Sequence, residues 1–286
     1  MRQRVLTAAL LIPPVLLAVF IDHIGPIYAV ALIAYGIGAL ELARMANPGK
    51  PAAGISGLLL LAASPLLITH FFHNDGAPSG VEGVAYAIRL LTVGSVLLSL
   101  AGSGMALAVA RGARGILPVE LGSWWIAGGL LALLALHGWT SNGTTYWSIP
   151  AGFRWASPVL LALVPIWIGD TLAIFVGRAF GKHLLVPKIS PKKTVEGAVA
   201  NLLGCLLGAV GLAYLIHQPM PVGIFVGLTA GILGQAGDLL ESALKRSAGV
   251  KDSGKLLPGH GGLLDRIDSI LLSAPFVALI VATLGN

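Results

Sequence analysis

The 286-residue chain is poor in charge and in cysteine, and each shortage excludes a class of protein. Only 10% of the residues are charged, 56% are hydrophobic and the mean hydropathy is +0.88, so the chain is far more apolar than a soluble domain. The single cysteine, Cys205, excludes a disulfide framework and a cysteine-based metal site, and its apolar surroundings predict a packing role. No GxxxxGK[ST] loop, GxSxG elbow or HExxH motif is present, so any nucleotide site is not a soluble module of those kinds.

What the chain has instead is a series of long apolar runs, which predict an all-α, polytopic transmembrane protein with about nine helical spans. The 38 glycines allow such helices to pack closely. We interpret the first run as a retained helix and not as a signal peptide, because no small-x-small cleavage site follows Phe20. The predicted spans cover residues 5–20, 27–43, 54–72, 84–110, 121–138, 157–177, 197–217, 222–244 and 267–284.

The basic residues fall almost entirely in alternate loops of this predicted bundle. Sixteen of the eighteen Lys and Arg residues lie on one side, only Arg154 lies on the other, and Arg89 lies within a span. By the positive-inside rule, the N-terminus is therefore predicted to be cytoplasmic and the C-terminus to lie outside. Because the basic residues are spread between hydrophobic segments, the net charge of +6 does not indicate a nucleic-acid partner.

Charge is concentrated in the C-terminal part of the chain. Seven of the twelve carboxylates and ten of the eighteen basic residues lie between positions 170 and 268. In the predicted topology, spans six to nine have their charged ends on the cytoplasmic side, so six of these seven carboxylates reach one depth in the inner leaflet. The carboxylates concerned are Asp170, Glu196, Asp238, Glu241, Asp265 and Asp268.

Two explanations fit this acidic cluster. Asp238 and Glu241, like Asp265 and Asp268, are three residues apart and share one helix face. They either form ion pairs that join helix ends or hold a divalent cation. For the cluster as a whole a metal is favoured, and Mg²⁺ suits it because this ion takes one or two carboxylates together with substrate phosphates.

The loop before the seventh predicted span has the features of a phosphate site. Lys192 and Lys193 precede Thr194, a predicted helix N-cap, and a helix N-terminus attracts phosphate. The alternative is a basic loop that only contacts anionic lipid headgroups. Further on, His260 is either a general acid or base, a phosphate donor, or simply a hydrogen-bonding loop residue, and the glycines after it let backbone N–H groups approach an anion.

At these residues the chain resembles the phosphatidate cytidylyltransferase family, also called CDP-diacylglycerol synthases. The resemblance is strong over about residues 160–285 and rests mainly on hydropathy in the N-terminal half; the segments 169–173 and 189–194 also look like family motifs. The C-terminal family signature is matched by Ser242, Lys245, Arg246, Lys251, Asp252, Pro258, His260, Gly261, Gly262, Asp265, Arg266 and Asp268.

The resemblance implies an enzyme that transfers the cytidylyl group of CTP to phosphatidic acid with Mg²⁺, in a homodimer of the bacterial inner membrane whose site opens to the cytoplasm and the inner leaflet. Residues 1–155 would then form a transmembrane scaffold with dimer contacts, and residues 156–286 the catalytic region. The implied catalytic residues are Asp238, Asp265, Lys193, Arg266 and His260. The implied metal ligands are Asp238, Asp265, Asp268, Glu241 and Asp170. The implied substrate-binding residues are Lys192, Ser190, Lys245, Arg246, Lys251, Gly261 and Gly262.

Rival functions remain open at this point. Carboxylates in helices also mark the ion paths of cation-coupled transporters, although a transporter's charges should lie near the midplane and these crowd one face. A CTP-dependent lipid kinase or a prenyltransferase with acidic metal motifs is a second enzymatic alternative. The reaction products distinguish these enzymes from one another.

Overall fold

The protein is an almost entirely helical bundle. A computed structural model describes residues 13–21, 24–46, 55–73, 81–113, 116–138, 157–256 and 261–285, without the side chains of 65–73 and 81–86. The helices in these ranges are residues 13–20 (α1), Ile24–Ala46 (α2), Ile55–His73 (α3), Val81–Ala110 (α4), Ile116–Gly138 (α5), Val159–Phe180 (α6), Val195–Leu215 (α7), Met220–Ser247 (α8) and Leu264–Leu284 (α9). Two short strands, Leu184–Val186 (β1) and Ser190–Thr194 (β2), form an antiparallel hairpin.

The helices agree in position with the predicted spans, and the all-α class is confirmed apart from the small hairpin. Among the described residues, seven helices are long and apolar enough to cross a membrane: α2, α4 from Ala87 onwards, and α5 to α9. In α3 the apolar stretch with described side chains covers only Ile55–Ser64, and much of the first predicted span lies outside the described residues. A multi-pass membrane protein is therefore supported, while the count of nine spans and the cytoplasmic N-terminus stay predictions.

Helix α5 lies at the centre of the described bundle. It contacts α2, α3, α4 and α9, and 78% of its most apolar stretch is buried. A helix that is apolar all round is expected to be enclosed, and Trp125, Ile126 and Leu136 are fully buried. Contacts of α9 with α4 and α5 join the N-terminal helices to the C-terminal ones. The proposed division near residue 155 stays a prediction.

The C-terminal helices pack in chain order, and this arrangement assembles the polar residues. Contacts between α6 and α7, α7 and α8, and α8 and α9 make consecutive helices neighbours. The end of α6, the start of α7, the end of α8 and the start of α9 therefore lie at one end of the bundle, as predicted. The β hairpin connects α6 to α7 at this same end.

Two glycines bring the helices into backbone contact beside the acidic residues. A Cβ atom added at Gly169 would lie 2.8 Å from the carbonyl oxygen of Asn201, and one added at Gly237 would lie 2.5 Å from that of Asp268. Such distances leave no room for a side chain, so α6 meets α7, and α8 meets α9, backbone to backbone. Cys205, fully buried beside Gly169, confirms the predicted packing role.

Candidate active site

The hairpin and the cap of α7 shape one wall of the polar end. Thr194 is the N-cap of α7, as predicted, and its hydroxyl oxygen accepts a hydrogen bond from the Gly197 amide at 3.1 Å. Arg246, at the end of α8, donates from Nε to the carbonyl oxygen of Ile189 at 3.0 Å, and from its guanidinium to that of Val250 at 3.2 Å. Arg246, predicted to bind substrate, therefore ties the hairpin to α8 in this structure.

The predicted residues Lys193 and Asp238 meet across two elements. Lys193 extends from β2, and its Nζ atom lies 2.6 Å from Oδ2 of Asp238 on α8. Ser242 donates to the other carboxylate oxygen, Oδ1, at 3.3 Å. Both members of the ion pair are only partly buried, so this pair is accessible to a ligand from the surface.

Asp170 and Asp268 flank this pair. The carboxylate of Asp238 interacts electrostatically with both of them, and Lys193 attracts both. Asp170 accepts a hydrogen bond from the Asn201 amide at 2.9 Å, whereas Asp268 is buried and accepts one from the Ser269 backbone amide at 2.7 Å. Three helices thus contribute one carboxylate each to a common site.

This site is recessed below the helix ends. Asp170 lies ten residues before Phe180, the last residue of α6, which corresponds to about 15 Å along the helix. Asp238 lies nine residues before the end of α8, a similar depth. The predicted sixth span ended at residue 177, seven residues after Asp170, whereas α6 continues for three more residues and so places Asp170 deeper.

A second lysine contacts the remaining two predicted metal ligands. Lys245 Nζ lies 2.5 Å from Oδ1 of Asp265 and also contacts Oε2 of Glu241 one helical turn earlier. Glu241 is fully buried, and its Oε1 has no hydrogen-bond donor among the residues that the structure describes. The Oδ2 atom of Asp265 accepts hydrogen bonds from the backbone and hydroxyl of Ser253 and from the Gly262 amide, at 2.8–3.0 Å.

The charges of this cluster do not balance. Five carboxylates, those of Asp170, Asp238, Glu241, Asp265 and Asp268, share two lysines, which leaves a formal excess of three negative charges. No three Asp, Glu, His or Cys side chains in the described ranges converge as a ready-made metal site. Mg²⁺ nevertheless fits this donor set, because it is satisfied by one or two carboxylates and completes its shell with water and phosphate oxygens.

Glu196 does not join the cluster, although the prediction placed it at the same depth. Its Oε1 atom lies 2.7 Å from Nδ1 of His183, and its Oε2 accepts a hydrogen bond from the His183 amide at 3.3 Å. The His183 side chain is 77% exposed, so this pair belongs to the surface of the hairpin. Glu196 lies beside the hairpin because it is the second residue of α7, two positions after the cap residue Thr194.

The other predicted residues lie around the cluster or outside the described residues. Ser190 is the first residue of β2 and is partly buried. Gly261 has a φ of +86°, a conformation that favours glycine, and the Gly262 amide donates to Asp265. His260 lies outside the described residues. The exposed basic residues at this end include Lys192, Arg246, Lys251 and Arg266.

The sequence interpretation missed three polar residues that the fold brings to this end: Asn201, Ser253 and Glu41. Glu41 is the most informative, because it lies on α2, far from the acidic motifs, and is 2% exposed. A carboxylate within an apolar span is a functional signal in itself. That signal was present in the sequence, but nothing in the sequence showed which residues Glu41 would meet.

The fold and the site together define a class: a multi-pass helical membrane protein with a recessed cluster of carboxylates and lysines at one end of its bundle. The sequence model described as "Cytidylyltransferase family" matches residues 2–284. The chain therefore belongs to the cytidylyltransferase family.

Three similar proteins carry a common name. The chain is 32% identical to the phosphatidate cytidylyltransferase of Bacillus subtilis (strain 168), with 99% of this chain and 98% of that protein covered. It is 36% identical to the phosphatidate cytidylyltransferase of Synechocystis sp. (strain ATCC 27184 / PCC 6803 / Kazusa), with 90% of each chain covered. The protein of that name in Staphylococcus aureus (strain COL) is 43% identical over 125 residues, which are 43% of this chain and 48% of that protein.

Proposed function

We propose that this protein transfers the cytidylyl group of CTP to phosphatidic acid, forming CDP-diacylglycerol and pyrophosphate. The proposal combines membership of the cytidylyltransferase family with the name shared by two relatives aligned over at least nine tenths of their length. The observation that carries it is the recessed cluster around Lys193, Asp238 and Lys245 at one end of a membrane bundle. A site there can receive a soluble nucleotide from the water and a lipid phosphate from the bilayer.

The reaction requires no protein nucleophile. A phosphate oxygen of the lipid attacks the α-phosphorus of CTP, the bond between the α-phosphorus and the bridging oxygen breaks, and pyrophosphate leaves with that oxygen. Phosphoryl-type transfer depends mainly on positioning and on neutralising charge. Lys193 and Lys245 supply two positive charges inside the site, and the exposed Lys192, Lys251 and Arg266 supply more at its rim.

Mg²⁺ is the cation that we propose for the excess negative charge. Asp238, Asp170 and Asp268 lie on three different helices around one site, and one or two of these carboxylates would hold the ion. When bound, the ion would neutralise triphosphate charge and orient the α-phosphate for attack. Asp265 and Glu241 were also predicted as metal ligands, but Lys245 contacts both of them in this structure. They would therefore position Lys245, and they would reach the metal only if this lysine moved away.

The reaction is tested by following separate phosphorus atoms of CTP. With purified protein, phosphatidic acid and Mg²⁺, label at the α-phosphate should enter the lipid, and pyrophosphate should appear in equal amount. Label transferred from the γ-phosphate with release of CDP would identify a lipid kinase instead. If the protein did not consume CTP and instead drove cation-coupled solute uptake in liposomes, it would be a transporter and not an enzyme.

For the membrane arrangement we propose a homodimer in the bacterial inner membrane with the active site facing the cytoplasm. The dimer rests on the family resemblance alone, and its test is the mass of the protein in detergent micelles. The orientation rests on the positive-inside rule, because sixteen of eighteen basic residues lie on one predicted side.

The orientation can be measured with a pair of cysteines at opposite ends of α7. We expect an impermeant maleimide to label Lys188→Cys, in the exposed turn between the strands, only in inverted vesicles. Met220→Cys, at the exposed start of α8, should be labelled only in intact, outer-membrane-permeabilised cells. Both variants would carry Cys205→Ala, so that no native thiol remains. The opposite labelling pattern would reverse the topology.

A further inference from the structure

Glu41 connects the N-terminal helices to the start of α9. Its Oε1 atom accepts a hydrogen bond from the Leu263 amide at 3.0 Å, and its Oε2 accepts one from the Leu264 amide at 2.8 Å. The first N–H groups of a helix have no partner within the helix and carry partial positive charge. The N-cap residue of α9 is Leu263, whose side chain supplies no cap. A carboxylate from α2 therefore caps this helix.

Glu41 also reaches the carboxylate network of the site through one serine. The Ser253 hydroxyl lies 3.0 Å from Oε2 of Glu41 and 3.0 Å from Oδ2 of Asp265. The Ser253 amide donates to the same oxygen of Asp265, whose other oxygen contacts Lys245. A continuous path of polar contacts thus runs from α2 to the lysine of the cluster.

Two glycines leave room for this carboxylate. A Cβ atom added at Gly262 would lie 2.6 Å from both carboxylate oxygens of Glu41, and one added at Gly254 would meet the same carboxylate. Any larger residue at either position would displace Glu41 or the loop. The loop before α9 is therefore closely fitted around the end of Glu41, which is itself almost fully buried.

We propose that Glu41 is a positioning residue for catalysis: it holds the first turn of α9 and the Ser253 loop so that Asp265 and Asp268 face the cluster. This inference rests on the proposed function for its kinetic consequence. Asp265 follows Leu264 directly, and Asp268 lies one turn further along α9. A change in how the helix begins is therefore transmitted to both carboxylates.

The chain provides a matched control in Glu120 of α5. Its carboxylate oxygens accept hydrogen bonds from the Ile55 and Ser56 amides at 3.1 and 2.9 Å, so Glu120 caps α3 in the way that Glu41 caps α9. Within the described part of the chain, the hydrogen bonds of this carboxylate go to Ile55 and Ser56 and to no residue of the cluster. Loss of a helix cap alone should affect both variants similarly, whereas loss of catalytic positioning should affect only the Glu41 variant.

The test compares Glu41→Gln with Glu120→Gln. Glutamine has one acceptor oxygen in place of two, so at least one amide at the start of α9 loses its partner. We expect Glu41→Gln to lower kcat about 10- to 100-fold with little change in the KM for CTP, and Glu120→Gln to leave kcat within about twofold of wild type. Glu41→Asp should restore part of the loss, and Ser253→Ala should show a smaller loss of the same kind.

Hydrogen exchange provides a readout that does not need activity. In Glu41→Gln the amides of Leu263 and Leu264 should exchange faster than in wild type, and in Glu120→Gln they should not. Equal kcat losses in the two glutamine variants, or a wild-type kcat in Glu41→Gln, would overturn the proposal. If Glu41→Gln does not fold, Glu41→Asp and Ser253→Ala decide by the same criteria. If wild type does not turn over CTP and phosphatidic acid, the proposed function fails. Unchanged hydrogen exchange at residues 263 and 264 in Glu41→Gln would separately refute the role of Glu41 as a helix cap.

Discussion

Replacing Asp238 with Asn is expected to lower turnover by more than about tenfold while the protein stays folded. The substitution keeps the size of the side chain but removes its negative charge. Lys193 contacts this carboxylate at 2.6 Å, and Asp170 and Asp268 flank it. If Asp238 is a ligand of Mg²⁺, several kcal/mol of charge stabilisation are lost with it. Initial rates at saturating Mg²⁺, CTP and phosphatidic acid measure the effect.

Two further variants and a chelator experiment make this result specific. Asp265→Asn should also lose activity, because its carboxylate holds Lys245, Ser253 and Gly262 together. Glu120→Gln, which removes a charge among the N-terminal helices, should retain activity. Excess chelator should abolish wild-type turnover, and added Mg²⁺ should restore it. Activity above about a tenth of wild type in Asp238→Asn would argue against its role as a metal ligand.

The second large effect is expected from a single methyl group at Gly237. A Cβ atom there would lie 2.5 Å from the carbonyl oxygen of Asp268 and 3.2 Å from the Cβ of Leu272. The backbones of α8 and α9 cannot stay in place, and overpacking of this kind costs about 1–3 kcal/mol. Since Asp238 and Asp268 lie at this contact, we expect Gly237→Ala to lower both the melting temperature in detergent and kcat, the latter by more than about tenfold.

Gly234, one helical turn earlier, is the matched control. A Cβ atom at that position would meet nothing closer than the Ser269 Cβ at 3.7 Å, which is an ordinary van der Waals contact. Gly234→Ala should therefore leave melting temperature and turnover near those of wild type. Equal behaviour of the two alanine variants would show that the backbone contact at Gly237 does not set the geometry of the site.

Several features of this protein were predictable because they depend on local chemistry. Apolar runs of membrane-crossing length located the helices, and the predicted topology placed Asp238 and Asp265 at one depth. The family resemblance added Lys193 to the predicted site. The cap at Thr194 was readable for the same reason, since a capping side chain lies three residues from the amide that it binds. The hairpin was not predicted, because each of its strands is five residues or shorter and it lies within a loop rich in Lys and Pro.

The pairing of charges depended on the tertiary structure. The sequence did not show which lysine would meet a carboxylate on another element: Lys193 contacts Asp238 on α8, and Lys245 contacts Asp265 on α9. The contact of Lys245 with Glu241 is local, because the two residues are four positions apart in one helix. Glu41 and Ser253 are 212 positions apart in the chain, so no local pattern relates them. The amino-acid sequence by itself determined the membrane helices, the family and the chemical character of the site. Only the tertiary packing, including the helix contacts at Gly169 and Gly237, decided which charges meet between elements, because ion pairs depend on distances of a few ångströms.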